Sequence, residues 1–585
     1  MSRTDNALIS NNTEITKHHI YFMVFVSVLT ISLMSKSSFL YPLNDWVDSN
    51  CFFTVGKALL SGKVLYRDIF EQKGPLIYFL HALAARISYR SFLGMYFFEI
   101  FACFIFLYYS AKLFALFSDS GAKRGFLFSG DSAERFSLFS GDSAKRVSGA
   151  DCIYYFIPVV SALTYSSAAF YHGDSVEEFF LPLITYSLYT GVTICLEEAI
   201  DYKKVFFTGI CTGIVLWTKY TSLGFYIGGI LVLSVYFLKQ GKGKEVAKAA
   251  LYYALGVLIV TLPVFIYFLG NNALADLYNT YFYNNIVLYS NRPEDHGLET
   301  GWGLNVLRGV AKAFQNNLAL GLIIAAFIIL AYRNINRKVY VLLIVTMFSS
   351  CLFIFKGTKS YNYYPLIFYS YLGAGLAFPL SWLYQWLGGK IKRFRGAAAA
   401  AVSVAVVSLL CLAGAMVRSP NTYMLLEKKE NLPQYKFAKI IEEGAVTAGR
   451  GPDTTETVTE GRGPDTTETV TEGRGPDTTE MVSEGRGPDT SPDTGVTLLN
   501  YGFLDGGFYT ATGIVPDYKY FCRMNIPLEE MINAQEDYLN SGSADYVVTR
   551  DQEINLNKYN LVSQASYIFE GREWLYRLYK LDKDE

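Results

Sequence analysis

Apolar residues come in runs of about 20 along most of this chain, with polar clusters between them. A helix of that length matches the hydrocarbon core of a bilayer. Such runs recur about eleven times, at residues 20–40, 91–117, 152–170, 179–196, 205–217, 222–238, 250–269, 317–332, 339–355, 365–386 and 396–417. The pattern predicts an all-α polytopic membrane bundle of about 11 spans. The fifth and sixth runs meet at Trp217–Tyr220 and predict a tight hairpin. Inside the first polar stretch, 41–90, the run Cys51–Leu60 predicts a short helix lying in the membrane interface, and 75–88 a second. The polar, Asn- and Tyr-rich stretch 270–312 predicts a loop.

Two segments break the pattern. Residues 117–148 repeat FSGDSAKR-like units with a period of eleven, and 449–496 repeat GRGPDTTETVTE with a period of twelve. Ser, Gly, Pro, Thr and mixed charge cannot support a packed core, so these predict an insert and part of a linker over 421–495. Beyond them the periodicity changes. Val496–Tyr501 and Asp545–Val548 predict strands, Ile526–Leu539 a helix, and Tyr567–Phe569 and Trp574–Leu581 two more strands. Residues 496–585 are therefore expected to form a small α/β domain.

Composition agrees with a membrane protein: 51% hydrophobic, 16% aromatic. A net charge of −1 gives no ground for a nucleic-acid partner. The eight cysteines show no CxxC and no paired spacing, and read as small packing residues. Basic clusters at 239–248, 333–338 and 390–395 fall on one side when the spans are threaded alternately, as does the 117–148 insert. The positive-inside rule makes that side cytoplasmic, with residues 1–19 as a cytoplasmic tail. The 41–90 loop and the C-terminal domain then share the extracytoplasmic side.

The 41–90 loop is dense in ionisable groups. Asp45 and Asp48 stand three apart at the start of the first expected interfacial helix, a spacing that would let both face one way as a general base or metal ligand. The competing reading makes Asp48 or Ser49 an N-cap. Asp68 and Glu71 are alternative acids. Lys73 and Arg67 could hold a phosphate leaving group, or could reach to lipid headgroups. Asp174, Glu177 and Glu178 close a polar turn that would ordinarily be solvated. Lys219 sits alone in the two-span hairpin, where topology gives it no use, and is a third candidate to hold the donor phosphate. Tyr361, Tyr363 and Tyr364 fit either an interfacial aromatic belt or a sugar platform. His172 and His296 are isolated, so a two-His metal site is not expected. There is no P-loop, strand-borne GxGxxG or GxSxG elbow.

These residues resemble a known family. A first span, an outer loop with an Asp, then Gly62 through Tyr66-Arg67-Asp68 to Lys73-Gly74-Pro75-Leu76, is similar to the integral-membrane glycosyltransferases of the GT-C superfamily. The nearest branch is that of bacterial relatives of protein O-mannosyltransferases and aminoarabinose lipid A transferases. Asp174-Ser175-Val176-Glu177-Glu178, Thr218-Lys219 and Tyr363-Tyr364-Pro365-Leu366 are further echoes, and the likeness covers about residues 20–420. It implies inverting transfer of a sugar from a polyprenyl-phosphate-linked donor to an extracytoplasmic acceptor: a cell-envelope glycan, lipid or protein. Asp48 matches the family's first-loop acid, and Lys73 the basic residue that meets the donor phosphate. Some members use a divalent metal. The chain departs from the mannosyltransferases in having Asp48-Ser49 for their Asp-Glu and Lys-Gly-Pro for their His-Pro-Pro. The rival classes are a transporter or flippase of lipid-linked glycans and a non-catalytic membrane scaffold. The charge stands at span ends rather than in mid-membrane, and no symmetry between the halves is visible.

Overall fold

Polar caps set where the helices begin. Thr16 opens α1 (Lys17–Met34) with a capping box shared with His19. Ser175 accepts from Glu178 N–H at 3.1 Å and opens α6 (Val176–Glu197). Asp201 accepts from the N–H groups of Lys203 and Lys204 to open α7 (Tyr202–Lys219). The structure, a computed structural model, describes residues 15–118, 149–289, 301–357, 360–390, 397–447, 495–569 and 571–582. Most of the 117–148 repeat, the twelve-residue repeats, His296 and the basic cluster beyond Lys390 lie outside these residues.

The remaining long helices of the bundle are α4 (Leu93–Phe117), α5 (Gly149–Tyr165), α8 (Gly224–Lys239), α9 (Gly243–Gly270), α10 (Trp302–Asn316), α11 (Leu318–Asn334), α12 (Arg337–Ile354), α13 (Ala377–Lys390) and α14 (Ala397–Arg418). Two shorter ones, α2 (Val47–Leu60) and α3 (Pro75–Ile87), stand where the interfacial helices were expected. By length and composition seven helices can cross a membrane, or nine if each of two bent pairs is one span. This is a multi-pass membrane protein, with fewer qualifying helices than the expected eleven. Part of the difference is residues 202–239, which qualify as one element. The backbone breaks at Lys219 (φ −158°) and the chain doubles back there. Lys242, just past α8, reaches the Glu198 carbonyl just before α7. Lys338 ties Glu198 to Tyr236 near the end of α8. Both ends of the 202–239 segment therefore meet. Another part is α5, whose apolar stretch Cys152–Tyr165 is too short to qualify.

Small residues let α7 and α9 approach closely. A Cβ on Gly209 would meet the Tyr253 carbonyl at 2.2 Å, and one on Gly256 the Phe206 carbonyl at 2.1 Å. The outer surface of the bundle is greasy: Ile266, Ile329 and Leu410 are each about two-thirds or more exposed, which water would penalise and lipid tails do not. The 270–312 stretch is not a plain loop. Its described part holds a π-helix, Tyr278–Leu288, pinned by Tyr281 donating to the Leu216 carbonyl at 2.6 Å, and then the first turns of α10.

The C-terminal domain is a four-stranded sheet of order β1-β2-β4-β3, from β1 (Leu498–Asn500), β2 (Tyr546–Arg550), β3 (Tyr559–Phe569) and β4 (Arg572–Leu581). β1 and β2 are parallel, joined by a crossover that includes a helix, Glu529–Asn540; the other pairs are antiparallel. Strand β3 begins eight residues before the predicted start at Tyr567. Residues 421–447, expected as linker, are built structure: α15 (Pro433–Thr447) buries Phe437 and Ile441.

The domain covers α2, and this changes what α2 is. An interfacial helix keeps one face in water. Here every residue from Ser49 to Ala58 is buried. The polar face is used up by the C-terminal domain: Thr54 donates to Asp505 at 2.7 Å, Lys57 to the Tyr509 carbonyl at 2.8 Å, and Thr510 to Asn50 at 2.8 Å.

Candidate active site

Helix ends converge on one face of the bundle, the face that carries the C-terminal domain. Asp48 lies in the first turn of α2, where the helix dipole favours an anion. The cap is Trp46, with no side-chain cap bond, so Asp48 is free of the structural duty that the competing reading gave it. Its Oδ2 stands 3.7 Å from Lys73 Nζ, and each side chain is about one-fifth exposed (19%). The Tyr363 hydroxyl points at the same oxygen from 3.5 Å.

Lys73 is placed by a tightly built turn. Tyr66 holds a left-handed backbone (φ 67°), stacks on Phe268 at 5.5 Å, and donates its hydroxyl to the Lys73 carbonyl. The Lys73 N–H donates to Glu71 at 2.9 Å and to the Tyr78 hydroxyl at 2.9 Å. Gly74 then packs against Trp217, where a Cβ would meet the carbonyl at 2.2 Å, and donates to the Thr218 carbonyl at 3.0 Å. Burial would pull the Lys73 ammonium down, but Asp48 and Glu71 outweigh it and hold its pKa above the ordinary lysine value. Burial pushes the Glu71 carboxyl up, against the pull of Lys73. The site thus presents a fixed cation beside a partly open carboxylate.

A second cation stands across the aromatic wall. Lys219 pairs with Glu177 and lies 5.2 Å over the Tyr363 ring and 4.1 Å over the Tyr364 ring. Tyr361 stacks on Tyr363 at 5.6 Å and shares a 3.0 Å hydrogen bond with Tyr289. Asn285, on the π-helix, donates to the Gln72 carbonyl at 2.7 Å. Asp48, Lys73, Lys219, Glu177, Tyr363 and Tyr364 are therefore one cluster.

The other expected residues sit elsewhere. Asp45 does not face the same way as Asp48, because the helix begins at Val47 and helical spacing does not reach back to it. Asp45 is buried in an ion pair with Lys36 at 2.7 Å and accepts from Tyr567 at 2.8 Å. Burial pushes its carboxyl up, but Lys36 and His172 outweigh that and keep it below the usual carboxylate value. Arg67 is on the surface, bonded to Asp68 at 2.8 Å and to the Asn271 carbonyl at 2.8 Å. The turn with Asp174, Glu177 and Glu178 is not solvated; all three are buried. His81 bridges the Ile77 carbonyl (2.8 Å) and Asp174 Oδ2 (3.0 Å), and Glu178 accepts from the Asp174 N–H at 2.9 Å. Burial holds His172 well below the ordinary histidine value. Its ring is stacked with Trp46 on one contact and Phe569 on another.

Sequence reasoning missed Lys36, Tyr289 and the contribution of the C-terminal domain, whereas Tyr361 joins Tyr363 and Tyr364 as expected. Tyr567 and Phe569 come from β3, and Phe569 packs in one cluster with Trp46 and Tyr363. Among the described residues no three His, Cys, Asp or Glu side chains gather as a metal site. An apolar cavity of about 200 Å³ lies between α6, α7, α8, α9 and α12, lined by Gly191, Tyr253 and Leu342, and touches none of the cluster.

No protein-family model matches the sequence, and no curated protein does. The crystal structure of ArnT from Cupriavidus metallidurans, bound to undecaprenyl phosphate, is similar over 97% of this chain and 98% of its own, with a TM-score of 0.53 and 13% identity. A likeness at that identity establishes the fold alone: the chain shares the fold of that structure along nearly its whole length.

Proposed function

We propose that the protein is an inverting membrane glycosyltransferase, moving a sugar from a polyprenyl-phosphate-linked donor to an extracytoplasmic acceptor: a cell-envelope glycan, lipid or protein. The observation that carries this reading is Lys73 Nζ at 3.7 Å from Asp48 Oδ2, at the end of a lipid-facing bundle. A lipid tail would keep the donor in the membrane and bring its phosphate to that height.

The step balances as follows. The acceptor hydroxyl oxygen forms a bond to the anomeric carbon, and the carbon–oxygen bond to the phosphate breaks with its electron pair on phosphate. Asp48 takes the hydroxyl proton. The polyprenyl phosphate leaves with its negative charge increased by one, against the Lys73 ammonium, with Lys219 as a second cation close by. One base suffices, because phosphate leaves without being protonated. Tyr363 would orient the Asp48 carboxylate, and the Tyr361, Tyr363 and Tyr364 rings offer faces for a sugar to stack on.

The neighbour's bound undecaprenyl phosphate supports a polyprenyl-phosphate partner. The orientation is supported by Lys242 and Lys338, which cluster with Glu198 at the bundle end opposite Asp48, as cytoplasmic lysines would. The deciding experiment incubates purified protein in vesicles with labelled polyprenyl-phosphate sugars. Transfer of label that Asp48→Asn abolishes is the expected result. Movement of intact labelled lipid between leaflets would make it a flippase, and neither outcome a scaffold.

A further inference from the structure

The clamp between α2 and the C-terminal domain contains two thiols that the proposed reaction does not use. Cys51 lies one helical turn after Asp48, on α2. Cys522 lies in the segment that follows the short helix Phe508–Thr512. They are 471 residues apart in sequence, yet their sulfurs are 3.8 Å apart, and each residue is 1% exposed. The sequence reads these cysteines as small packing residues, and both are buried free thiols here, but they pack against each other.

The segments that carry the two sulfurs are each held by backbone and polar contacts of neighbouring residues. On the α2 side, Asn50 and Thr54 are fixed by Thr510 and Asp505. On the other side, the Lys519 carbonyl accepts from Phe70 N–H at 2.9 Å, and Arg523 N–H donates to the Phe503 carbonyl at 2.9 Å. Neither segment can drift without breaking several of these bonds. A disulfide needs about 2 Å between sulfurs. The two sulfurs stand 3.8 Å apart, so they must close by about 2 Å to bond.

We infer that Cys51 and Cys522 form a redox site: a disulfide between them staples the C-terminal domain to the helix that carries Asp48. The compartment follows from the proposed orientation, in which this face is outside the cell, where disulfides persist. The bond itself does not depend on the transferase reading. In the reaction one cysteine, as thiolate, attacks an oxidised dithiol carrier or glutathione disulfide, giving a mixed disulfide. The second cysteine displaces the reduced carrier. Two protons and two electrons leave the pair, and the oxidant's disulfide becomes two thiols. Burial pushes both thiols up, so exchange is slow while the domain is docked and occurs during folding or on undocking. Once formed, the bond closes a loop of several hundred residues and keeps the domain in place over α2.

The test needs no activity assay. A protease site is inserted within the twelve-residue repeats, and the full-length protein is purified in detergent, left as isolated or exposed to oxidised glutathione, and cleaved at that site. Free thiols are then blocked with an alkylating agent in denaturant, and both samples run on a denaturing gel with and without dithiothreitol. The expected result is that the C-terminal fragment stays joined to the rest without reductant in at least one of the two samples, and is released by reductant. Cys51→Ser and Cys522→Ser should each release it in all lanes. Alkylation mass counts on the unmutated protein serve if either variant fails to fold: two fewer alkylated cysteines are expected than after reduction. A fragment that runs free without reductant in both samples, with all cysteines alkylated, overturns the proposal. So does a linkage that survives either substitution.

Discussion

Tyr567 donates its hydroxyl to Asp45 at 2.8 Å across 522 residues of sequence. Asp45 in turn holds Lys36 at 2.7 Å, with both side chains 1% exposed. A strand of the C-terminal domain thus completes a buried ion pair of the membrane domain, beside the residue pair proposed to do chemistry. Tyr567→Phe removes a hydrogen bond to a charged group, about 1.5–3 kcal/mol, and should speed proteolytic release of the domain. Asp45→Ala removes the carboxylate that pairs with the buried Lys36 ammonium, which should cost up to about 3–5 kcal/mol. Thermal midpoints in detergent check both. Asp45→Ala melting with the unmutated protein would show that the pair does not support the fold.

Asp48 differs from Asp45 in that it is partly open. Asp48→Asn keeps the shape and removes the base. Turnover should fall by about 10²–10⁴ while the thermal midpoint stays within a few degrees. Normal turnover in this variant would exclude the proposed role, and a large loss of stability would mean that the carboxylate is structural after all. Lys73→Met keeps much of the stem and removes the charge. It should weaken retention of radiolabelled polyprenyl phosphate at least tenfold, and more at low salt than at high salt.

Arg67 supplies the contrast. It shares the loop with Lys73 but is tied to Asp68 and Asn271 at the surface. Arg67→Ala should change polyprenyl-phosphate retention less than twofold, whereas Lys219→Met should reduce it. An Arg67 variant that loses lipid binding as fully as Lys73→Met would place that residue in the phosphate site.

What could be read beforehand follows from the range of the interactions involved. The membrane bundle, the loop with Asp48 and Lys73, and the C-terminal strands are written in local patterning, and all three are in the structure. Asp45 was misplaced because three-residue spacing means proximity only inside a helix, and the helix starts two residues later. Arg67 was misplaced because a loop sets direction by turns, here by Tyr66 in a left-handed conformation, which periodicity does not register. The pairing of Glu177 with Lys219 needs a contact across 42 residues, and the closing of α2 by Asp505 and Tyr509 and the Tyr567–Asp45 bond need contacts across more than 450. No window of sequence contains them.

Lys57 makes domain docking depend on pH. It lies fully buried on α2, donating to the Tyr509 carbonyl at 2.8 Å, and its Nζ sits 5.2 Å from the Phe53 ring and 5.4 Å from the Tyr89 ring. Burial pulls its pKa from 10.5 down to about 7; Asp505 opposes that and Arg90 adds to it. Below about pH 7 the group is charged whether docked or undocked, and the docked state bears the full cost of burying the charge. Between about 7 and 10.5 the docked lysine has lost its proton and the undocked one has not, so docking strengthens as pH rises through that window. The Asp505 carboxyl is pushed up by burial, so its contribution has the opposite sign and is lost at lower pH, as pH rises through its docked value. Hydrogen–deuterium exchange of the C-terminal strands at pH 7 and pH 9.5, corrected for intrinsic rates, should show greater protection at the higher pH. Lys57→Met should flatten that difference. Protection that falls between the two pH values in the unmutated protein, or a rise that persists in the variant, would remove Lys57 as the cause.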